Sequence, residues 1–563
     1  MDRNKRLSVW LPVIIAASIA LGIFIGNYYL SISKGRSHGF SSGNKINAIL
    51  DIIDEQYVDS VNMEDLVEGT IPKIFSELDP HSLYIPASDA SLVNEDLESS
   101  FSGIGVSFNF QSDTILVINV IKGGPAEKAG LLPFDRIITI NGKNFAGQKM
   151  DQAKVMKTLR GAKNSTVKLG VQRSGIKGLR TFVVTRGDVP VNTVDVAYTV
   201  SKGIGYIKIS KFARNTYDEF ITAIAKLKKE GSNSFIIDLR GNTGGYMDAA
   251  NNMVNEFLPE GRLIEYLQGK NFPRSDVYAN GTGTCLKSPL VVLTDEISAS
   301  ASEIFSGAIQ DNDRGLIIGR RTYGKGLVQT QIALNDGSAV RLTIARYYTP
   351  SGRCIQKKYE LGKTEEYDQD IYNRYLHGEF DSADSIKLDE KVKYHTVMGR
   401  TVYGGGGIMP DIFIPRDTFG MTSYYEEAVS NGLIFMYALE YSNNNRMKLS
   451  SFKRWSDLQA YLERQPILND FANYAEAKGL RKRPILINIS RQLLETELEA
   501  YIVRNFFDDE GFYPIYLKDD PTLKRAVEVL KEGKSFPTLK NGNLQSKAKA
   551  SKRNRTSKGN FLS

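Results

Sequence analysis

Residues 289–312, PLVVLTDEISASASEIFSGAIQDN, change from one structural pattern to another within a few positions. The apolar, β-branched first part predicts a buried strand, and the second part has apolar residues at helical spacing. Residues 235–257, FIIDLRGNTGGYMDAANNMVNEF, follow the same order of strand, glycine-rich turn and helix. Repeated units of this kind predict an α/β core, and open α/β sheets place their functional sites at the polar turns that follow strands.

Ser300 lies where the strand pattern gives way to the helix pattern. A hydroxyl at that point would be exposed, and the N–H groups of the first helical turn would point at an oxyanion formed beside it. The same sequence fits a capping box, in which Ser300 and Glu303 satisfy the first donors of the helix. A lone S-x-x-E pattern is more often a cap than a catalytic serine, so other motifs must decide.

A second motif surrounds Lys325. Residues 319–329, GRRTYGKGLVQ, contain G-x-x-x-x-G-K, but a phosphate-binding loop needs Ser or Thr after the lysine, and Gly326 stands there. The following LVQTQIALNDGSAVRLTIARYYTP is rich in β-branched residues around an Asn-Asp-Gly turn, which predicts a hairpin instead of a helix. An ATPase is therefore the weaker interpretation, and Lys325 needs another role.

A β-rich stretch precedes these motifs. It contains GIGV at residues 103–106, followed by GGPAEKAGL and DRIITINGK, and in this order the three motifs resemble a PDZ domain. The resemblance implies that Gly103, Ile104, Gly105 and Val106 present backbone N–H groups to the terminal carboxylate of a peptide that adds as a strand. The same glycines are also compatible with a tight turn that only leads into a strand.

SASASEI, TYGKGLVQ and the preceding DLRGNTGG together resemble the C-terminal processing peptidases, also called tail-specific proteases. The resemblance implies that Ser300 is the nucleophile and that Lys325 is its general base in a Ser-Lys dyad. It also implies that Gln329 holds the lysine in place by a hydrogen bond. The LDPHS motif, residues 78–82, matches the same family, and the resemblance covers about residues 46–415.

The chemistry of the dyad places demands on its surroundings. A lysine with its ordinary pKa of about 10.4 is protonated at neutral pH, so the site must exclude water and keep carboxylates away from Lys325. Its glycine neighbours and apolar flanks permit this, and the histidine nearest in sequence, His377, is far from both motifs. The oxyanion donors are expected at Gly244 or Gly245 together with Ala301, and the sequence does not decide between the glycines.

An uncharged apolar run occupies residues 7–30. As a helix it would be about 36 Å long, enough to cross a bilayer. Arg3, Lys5 and Arg6 precede it, so the positive-inside rule leaves the short N-terminus in the cytoplasm and sends the remainder outward. A cleaved signal peptide is the alternative, but the run is longer than a usual signal core and no A-x-A-like site follows. We expect a single-pass anchor in the bacterial inner membrane, with the protease domains in the periplasm or extracytoplasmic space.

Charge and cysteine content narrow the function classes further. The net charge is +8, but seven of the positive charges lie in the tail at residues 540–563, which contains no Asp or Glu. The remainder is nearly neutral, so no nucleic-acid partner is expected. Cys285 and Cys354 would lie in an oxidising space that permits a disulfide, and the sequence does not decide whether they pair. No cluster of Cys and His is present, so neither a metal nor another cofactor is expected.

The sequence therefore predicts a multidomain α+β chain. Its expected segments are a cytoplasmic stub and transmembrane helix (1–36), a helical segment (44–100), a PDZ domain (101–187), an α/β protease core of the ClpP/crotonase-like kind (188–415, with a charged insertion at about 360–400), a helical C-terminal region (420–539) and a basic disordered tail (540–563).

The expected activity is that of a membrane-anchored serine endopeptidase that recognises protein C-terminal tails through its PDZ domain. A non-catalytic PDZ scaffold or adaptor that binds tails at the cell envelope is the alternative. The expected partners are extracytoplasmic proteins with apolar C-terminal tails and the inner membrane. The sequence does not decide whether the chain also forms a homo-oligomer or binds an adaptor protein.

Overall fold

The computed structural model describes residues 16, 18–24, 42–95, 98, 100–111, 114–147 and 152–536. Most of the predicted anchor and all of the predicted basic tail lie outside these ranges. Among the described residues, no helix is long and apolar enough to cross a membrane. The chain divides into two compact units, Met1–Ile74 and Phe75–Ser563.

The helices and strands follow the chain in four groups. The first group is α1 (Ser42–Gln56), α2 (Met63–Ser76), β1 (Leu83–Ile85) and α3 (Ala87–Glu95). The second is β2 (Ser100–Gly103), β3 (Val106–Gln111), β4 (Thr114–Val120), α4 (Pro125–Ala129), β5 (Arg136–Ile140), β6 (Lys143–Asn144), α5 (Gln152–Leu159), β7 (Thr166–Gln172), β8 (Arg180–Thr185) and β9 (Gly187–Pro190).

The third group is β10 (Val194–Ser201), β11 (Ile204–Ile209), α6 (Thr216–Lys229), β12 (Ser234–Asp238), α7 (Met247–Asn255), β13 (Leu263–Gln268), β14 (Ser275–Tyr278), β15 (Leu290–Thr294), α8 (Ala301–Asp311), β16 (Leu316–Gly319), β17 (Leu327–Ala333), β18 (Ala339–Tyr348), α9 (Thr364–Asp368), α10 (Asp370–Leu376), β19 (Lys393–His395), β20 (Thr401–Tyr403) and β21 (Ile412–Phe413). The fourth is α11 (Ser423–Ser430), α12 (Leu433–Asn444), α13 (Arg446–Leu449), α14 (Trp455–Leu462), α15 (Ile467–Ala477), α16 (Pro484–Ile489), α17 (Arg491–Tyr516) and α18 (Pro521–Lys531).

The second group forms a β-rich module. Its main sheet has the order β3-β4-β5-β7-β8 with β6 paired to β5, and β2 pairs with β9 in a separate ribbon. Val167, Leu169 and Val171 alternate along β7 toward a core that they share with Ile115 and Val117 of β4. This alternation is what a sheet with one buried face requires.

The centre of the second unit is a six-stranded sheet with the order β10-β11-β12-β15-β16-β21. The β10–β11 pair is antiparallel and the other pairs are parallel. All residues of β12 and β15 are buried, because helices cover both faces of the sheet. Since parallel strands end at the same edge, the turns after β12 and β15 lie together, and these turns carry the predicted site.

A second sheet lies beside this edge and has the order β1-β18-β13-β14, with β17 paired to β18. β17 and β18 form the predicted hairpin, closed by a hydrogen bond from Leu334 N–H to the Ser338 carbonyl oxygen at 2.8 Å. β1 follows directly after the LDPHS motif and pairs with β18. The motif is therefore attached to the hairpin that begins just after Lys325.

The fourth group is helical, as predicted, and has a hydrophobic core of its own. Asp508 has non-helical backbone angles, so α17 is two helices joined at that residue. α18 packs on the sheet face opposite α7 and α8, where Leu523, Ala526 and Val529 join Val291 in one cluster. This region thus completes the burial of the protease core.

Candidate active site

Ser300 is the N-cap residue of α8 and follows the loop that leaves β15. Its backbone φ is 54° and its ψ is −115°, a left-handed conformation that a residue with a Cβ seldom adopts. Such strain costs about 1–3 kcal/mol, and it persists where the surrounding structure holds the residue, often at functional sites. The strained turn places Ser300 on the wall of a cavity.

Glu303 connects this turn to the lysine loop. The Glu303 half of the predicted capping box is formed, since Ser300 N–H donates to Glu303 Oε2 at 2.9 Å, whereas Glu303 N–H donates to the Ser300 backbone carbonyl oxygen at 2.8 Å. The same buried carboxylate accepts the N–H groups of Gly324 and Lys325, each at 2.8 Å, and the Thr322 hydroxyl at 2.5 Å. Burial raises the pKa of this carboxyl, and the donors oppose that effect. The Glu303 carboxylate therefore holds the backbone of the candidate nucleophile and that of the candidate base together.

Lys325 lines the same cavity as Ser300, and the volume of this cavity is about 890 Å³. The lysine lies in the loop between β16 and β17. A phosphate-binding loop is followed by a helix, whereas this loop is followed by a strand. Burial lowers the pKa of Lys325, and the charge of Arg341 lowers it further, against the opposing carboxylates of Glu303 and Asp79. A lysine with a lowered pKa is more readily neutral, which a general base must be.

The glycine turn after β12 packs directly against the serine. A Cβ built on Gly244 would lie 2.7 Å from the Cβ of Ser300, and one built on Gly245 would lie 1.9 Å from the Phe212 carbonyl oxygen. Gly244 N–H already donates to Asn242 Oδ1 at 2.8 Å. Gly244 and Gly245 both have positive φ, 102° and 140°. Only glycine fits at these two positions, and both line the cavity together with Ser300.

The other predicted site residues occupy two places. Ala301 is buried in the first turn of α8, next to Ser300. Gln329 lines the cavity from β17, and its Nε2 donates to Thr343 Oγ1 at 3.3 Å. Its hydrogen bond to Lys325 stays a prediction.

The predicted carboxylate loop of the β-rich module, residues 103–106, joins β2 to β3. Ile104 and Gly105 are buried, and their carbonyl oxygens accept the N–H groups of Ala126 and Ile121 at 2.7 and 2.9 Å. The loop is thereby fixed against α4, in a module separate from the cavity. Its role in peptide binding stays a prediction.

Cys285 and Cys354 are both free thiols, which decides the question that the sequence left open. Cys285 is buried.

Sequence reasoning missed three residues near Lys325. Glu303 was interpreted only as a cap, and Asp79 and His81 had no role. His81 is distant in the chain, yet the charge of Lys325 contributes to lowering its pKa to about 4, after the larger effect of burial. The LDPHS motif was a signal for Asp79 and His81, although its spacing carries no chemistry by itself.

Known families account for most of the second unit. Residues 203–367 match the model of peptidase family S41, residues 102–184 match that of the PDZ domain, and residues 424–508 match a family of unknown function. The carboxy-terminal processing protease CtpA of Bacillus subtilis (strain 168) is 36% identical over 361 residues, which cover 63% of this chain and 76% of CtpA. The chain belongs to peptidase family S41.

The chain is also similar to a second protease and to a solved structure. The carboxy-terminal processing protease CtpB of Bacillus subtilis (strain 168) is 36% identical over 319 residues, 56% of this chain and 66% of CtpB. The structure of the photosystem II D1 C-terminal processing protease is 28% identical, covers 56% of this chain and 90% of that chain, and has a TM-score of 0.32. As a member of family S41 with a PDZ domain, the chain is a serine-type peptidase of the carboxy-terminal processing kind. The predictions of family and enzyme class are confirmed.

Proposed function

We propose that this S41 peptidase is a membrane-anchored, extracytoplasmic serine endopeptidase whose nucleophile is Ser300 and whose general base is Lys325. The observation that carries the proposal is the cavity that Ser300 and Lys325 share, together with the buried carboxylate of Glu303, which accepts the backbone N–H groups of both residues. The lowered pKa of Lys325 supports its role as a base, since burial is the main cause of the shift.

The reaction has two halves. In the first, neutral Lys325 takes the proton of the Ser300 hydroxyl while Oγ forms a bond to the substrate carbonyl carbon. The resulting tetrahedral intermediate collapses when Lys325 returns the proton to the leaving amine, and an ester on Ser300 remains. In the second half, Lys325 takes a proton from water, whose oxygen attacks the ester, and the proton then passes to Ser300 Oγ as the N-terminal part of the substrate leaves with a new terminal carboxyl group.

The oxyanion of each intermediate needs two N–H donors near Ser300. Gly244 N–H is occupied by Asn242, whereas Gly245 N–H has no such bond among the described residues. Gly245 is therefore the better of the two predicted glycine donors, and Ala301 N–H at the start of α8 is its partner.

Substrate recognition is assigned to the PDZ domain. Its carboxylate loop, residues 103–106, would bind the apolar C-terminal tail of an extracytoplasmic protein, which adds as a strand beside β3. The apolar run at residues 7–30 and the basic residues before it support the anchor and its orientation in the bacterial inner membrane.

The test compares turnover of an unfolded protein substrate by the full chain and by single variants. Ser300→Ala and Lys325→Met should each lose about three or more orders of magnitude in kcat, because each removes a group that the reaction needs. Ser275→Ala and Lys358→Met are matched controls on exposed side chains and should cleave at the wild-type rate. Cleavage retained by either dyad variant would contradict the proposal.

A further inference from the structure

The LDPHS turn, residues 78–82, takes no part in the chemistry above but is built as a rigid unit. Asp79 is buried, and its Oδ1 accepts the N–H groups of His81 and Ser82 at 3.0 and 3.2 Å. Its Oδ2 accepts the Ser82 hydroxyl at 2.5 Å. The turn therefore has a fixed conformation, from which two chains of hydrogen bonds reach the lysine loop and β17.

The first chain leads from Asp79 to Gln329. The Thr343 hydroxyl donates to Asp79 Oδ1 at 2.9 Å, and Thr343 Oγ1 accepts from Gln329 Nε2 at 3.3 Å. An ionised carboxylate only accepts, so the single proton of the Thr343 hydroxyl is committed to Asp79. The hydroxyl oxygen can then only accept from Gln329. This fixes which side of the Gln329 amide carries the nitrogen, so the amide oxygen lies on the opposite side.

The second chain leads from His81 to the backbone beside Lys325. His81 Nε2 and Tyr367 Oη are 3.0 Å apart, and Gln356 Nε2 donates to the same Oη at 3.3 Å. Gln356 Oε1 in turn accepts Gly326 N–H at 2.8 Å. Gly326 is the residue after Lys325, so this chain fixes the peptide group that follows the lysine.

From these contacts we propose that the LDPHS turn positions the general base: Asp79 orients Gln329, and His81 fixes the loop that carries Lys325. The inference rests on the proposed dyad. Neither side chain touches the reacting atoms, so both are positioning residues. Their loss should lower kcat more than it raises KM.

Replacing Thr343 by valine removes the hydroxyl that joins Asp79 to Gln329 and keeps the size of the side chain. Thr343→Val on the full chain should lower kcat for a short peptide about tenfold, the effect of losing one well-placed hydrogen bond in the transition state, with KM little changed. Thr343→Ser keeps the hydroxyl and should restore kcat. Thr199→Val is the matched control, because it also removes a bond from a strand hydroxyl to a carboxylate, Glu230, at the far edge of the core sheet.

Tyr367→Phe cuts the second chain and should also lower kcat, since it removes the oxygen that joins His81 to Gln356. The melting temperatures of the Thr343 and Tyr367 variants are measured alongside, so that loss of folding is separated from loss of rate.

A pH profile gives a readout that a merely structural role would not move. The groups that act on Lys325 are Arg341, Glu303 and Asp79, and Lys325 also acts on His81. Because the Asp79 carboxylate raises the pKa of Lys325, Asp79→Asn should shift the ascending limb of kcat/KM to lower pH. Thr343→Val removes no charge and should leave the limb in place.

The outcomes separate this inference from the proposed function. If Ser300→Ala and Lys325→Met are inactive while folded Thr343→Val and Tyr367→Phe turn over at the wild-type rate, the positioning role is overturned and the dyad stands. A folded Asp79→Asn variant that turns over at the wild-type rate also overturns it. If the dyad variants stay active, the proposed function itself fails.

Discussion

At the level of single residues, Glu303 joins the serine turn to the lysine loop. A fully buried carboxylate that accepts three backbone N–H groups and one hydroxyl cannot be replaced without leaving a donor unpaired. Glu303→Gln introduces an NH₂ group opposite one of these donors. We expect the free energy of unfolding to fall by about 1–3 kcal/mol and kcat to fall at least about tenfold.

Urea unfolding and peptide turnover measure both effects of Glu303→Gln. Glu495→Gln is the control, since its partner Arg491 lies 2.9 Å away in an exposed ion pair that contributes about 0–1 kcal/mol. Equal kcat for wild type and Glu303→Gln would show that the carboxylate does not align the serine and lysine.

Residues near in sequence were predicted more completely than residues brought together by the fold. Ser300 and Lys325 stand in motifs whose local geometry is encoded by neighbours, a strand end and a hairpin start. The hydrogen bond between Thr343 and Asp79 joins positions 264 residues apart, and the spacing of residues along the chain does not predict such a contact. For the same reason the sequence does not place His81 near Lys325, whose charge acts on it in the structure.

At the level of elements, the turn between β12 and α7 packs against Ser300 and carries one of the proposed oxyanion donors. Gly244→Ala should displace Ser300, because the new Cβ would lie 2.7 Å from the Ser300 Cβ and 2.8 Å from the Ala299 carbonyl oxygen. We expect kcat to fall at least about tenfold, together with a loss of stability of about 1–3 kcal/mol.

Gly241→Ala is the matched control within the same turn. Gly241 also has a positive φ, 70°, but its Cβ would meet no atom within 4 Å among the described residues. Gly241→Ala should therefore lower the free energy of unfolding by only about 1–2 kcal/mol, because a residue with a Cβ is strained at positive φ. Its kcat should stay near the wild-type value. Thermal unfolding and peptide turnover distinguish the two variants. Similar kcat values for both would show that the turn does not position Ser300.

The strong patterns explain which elements the sequence could predict. β12 and β15 are unbroken apolar runs, and the Asn-Asp-Gly turn specified the β17–β18 hairpin. The sequence did not show that β18 also pairs with β1 and β13 in a second sheet, because strand partners depend on tertiary packing. It likewise gave no partner for the helical C-terminal region.

At the level of the whole molecule, the C-terminal helices contact both the PDZ domain and the protease core. Leu439 of α12 packs with Leu116 and Phe134 of the PDZ domain in a buried cluster. On the core side, Asp520 at the start of α18 forms an ion pair with Arg240 at 2.8 Å, in the motif that leads to the glycine turn. The region therefore links the expected tail-binding domain to the catalytic sheet.

Leu439→Ala should loosen this link. The side chain is 1% exposed, so its truncation leaves a cavity and should lower the free energy of unfolding by about 2–5 kcal/mol. We expect faster amide hydrogen exchange in β4 and around Phe134. Met447→Ala, at a side chain that is 91% exposed, is the control and should not change exchange. Unchanged exchange in Leu439→Ala would mean that the PDZ domain is held by other contacts.

The central claim is that Ser300 forms the covalent intermediate and that neutral Lys325 drives its formation. The most direct measurement is rapid acid quenching of the full chain with a slowly deacylating ester substrate, followed by mass spectrometry of the peptide that contains Ser300. The account predicts an acyl group on Ser300 whose rate of formation rises with pH through the lowered pKa of Lys325, and which is lost in Lys325→Met. An acyl group on another residue, or acylation of Ser300 that is independent of pH and of Lys325, would contradict it.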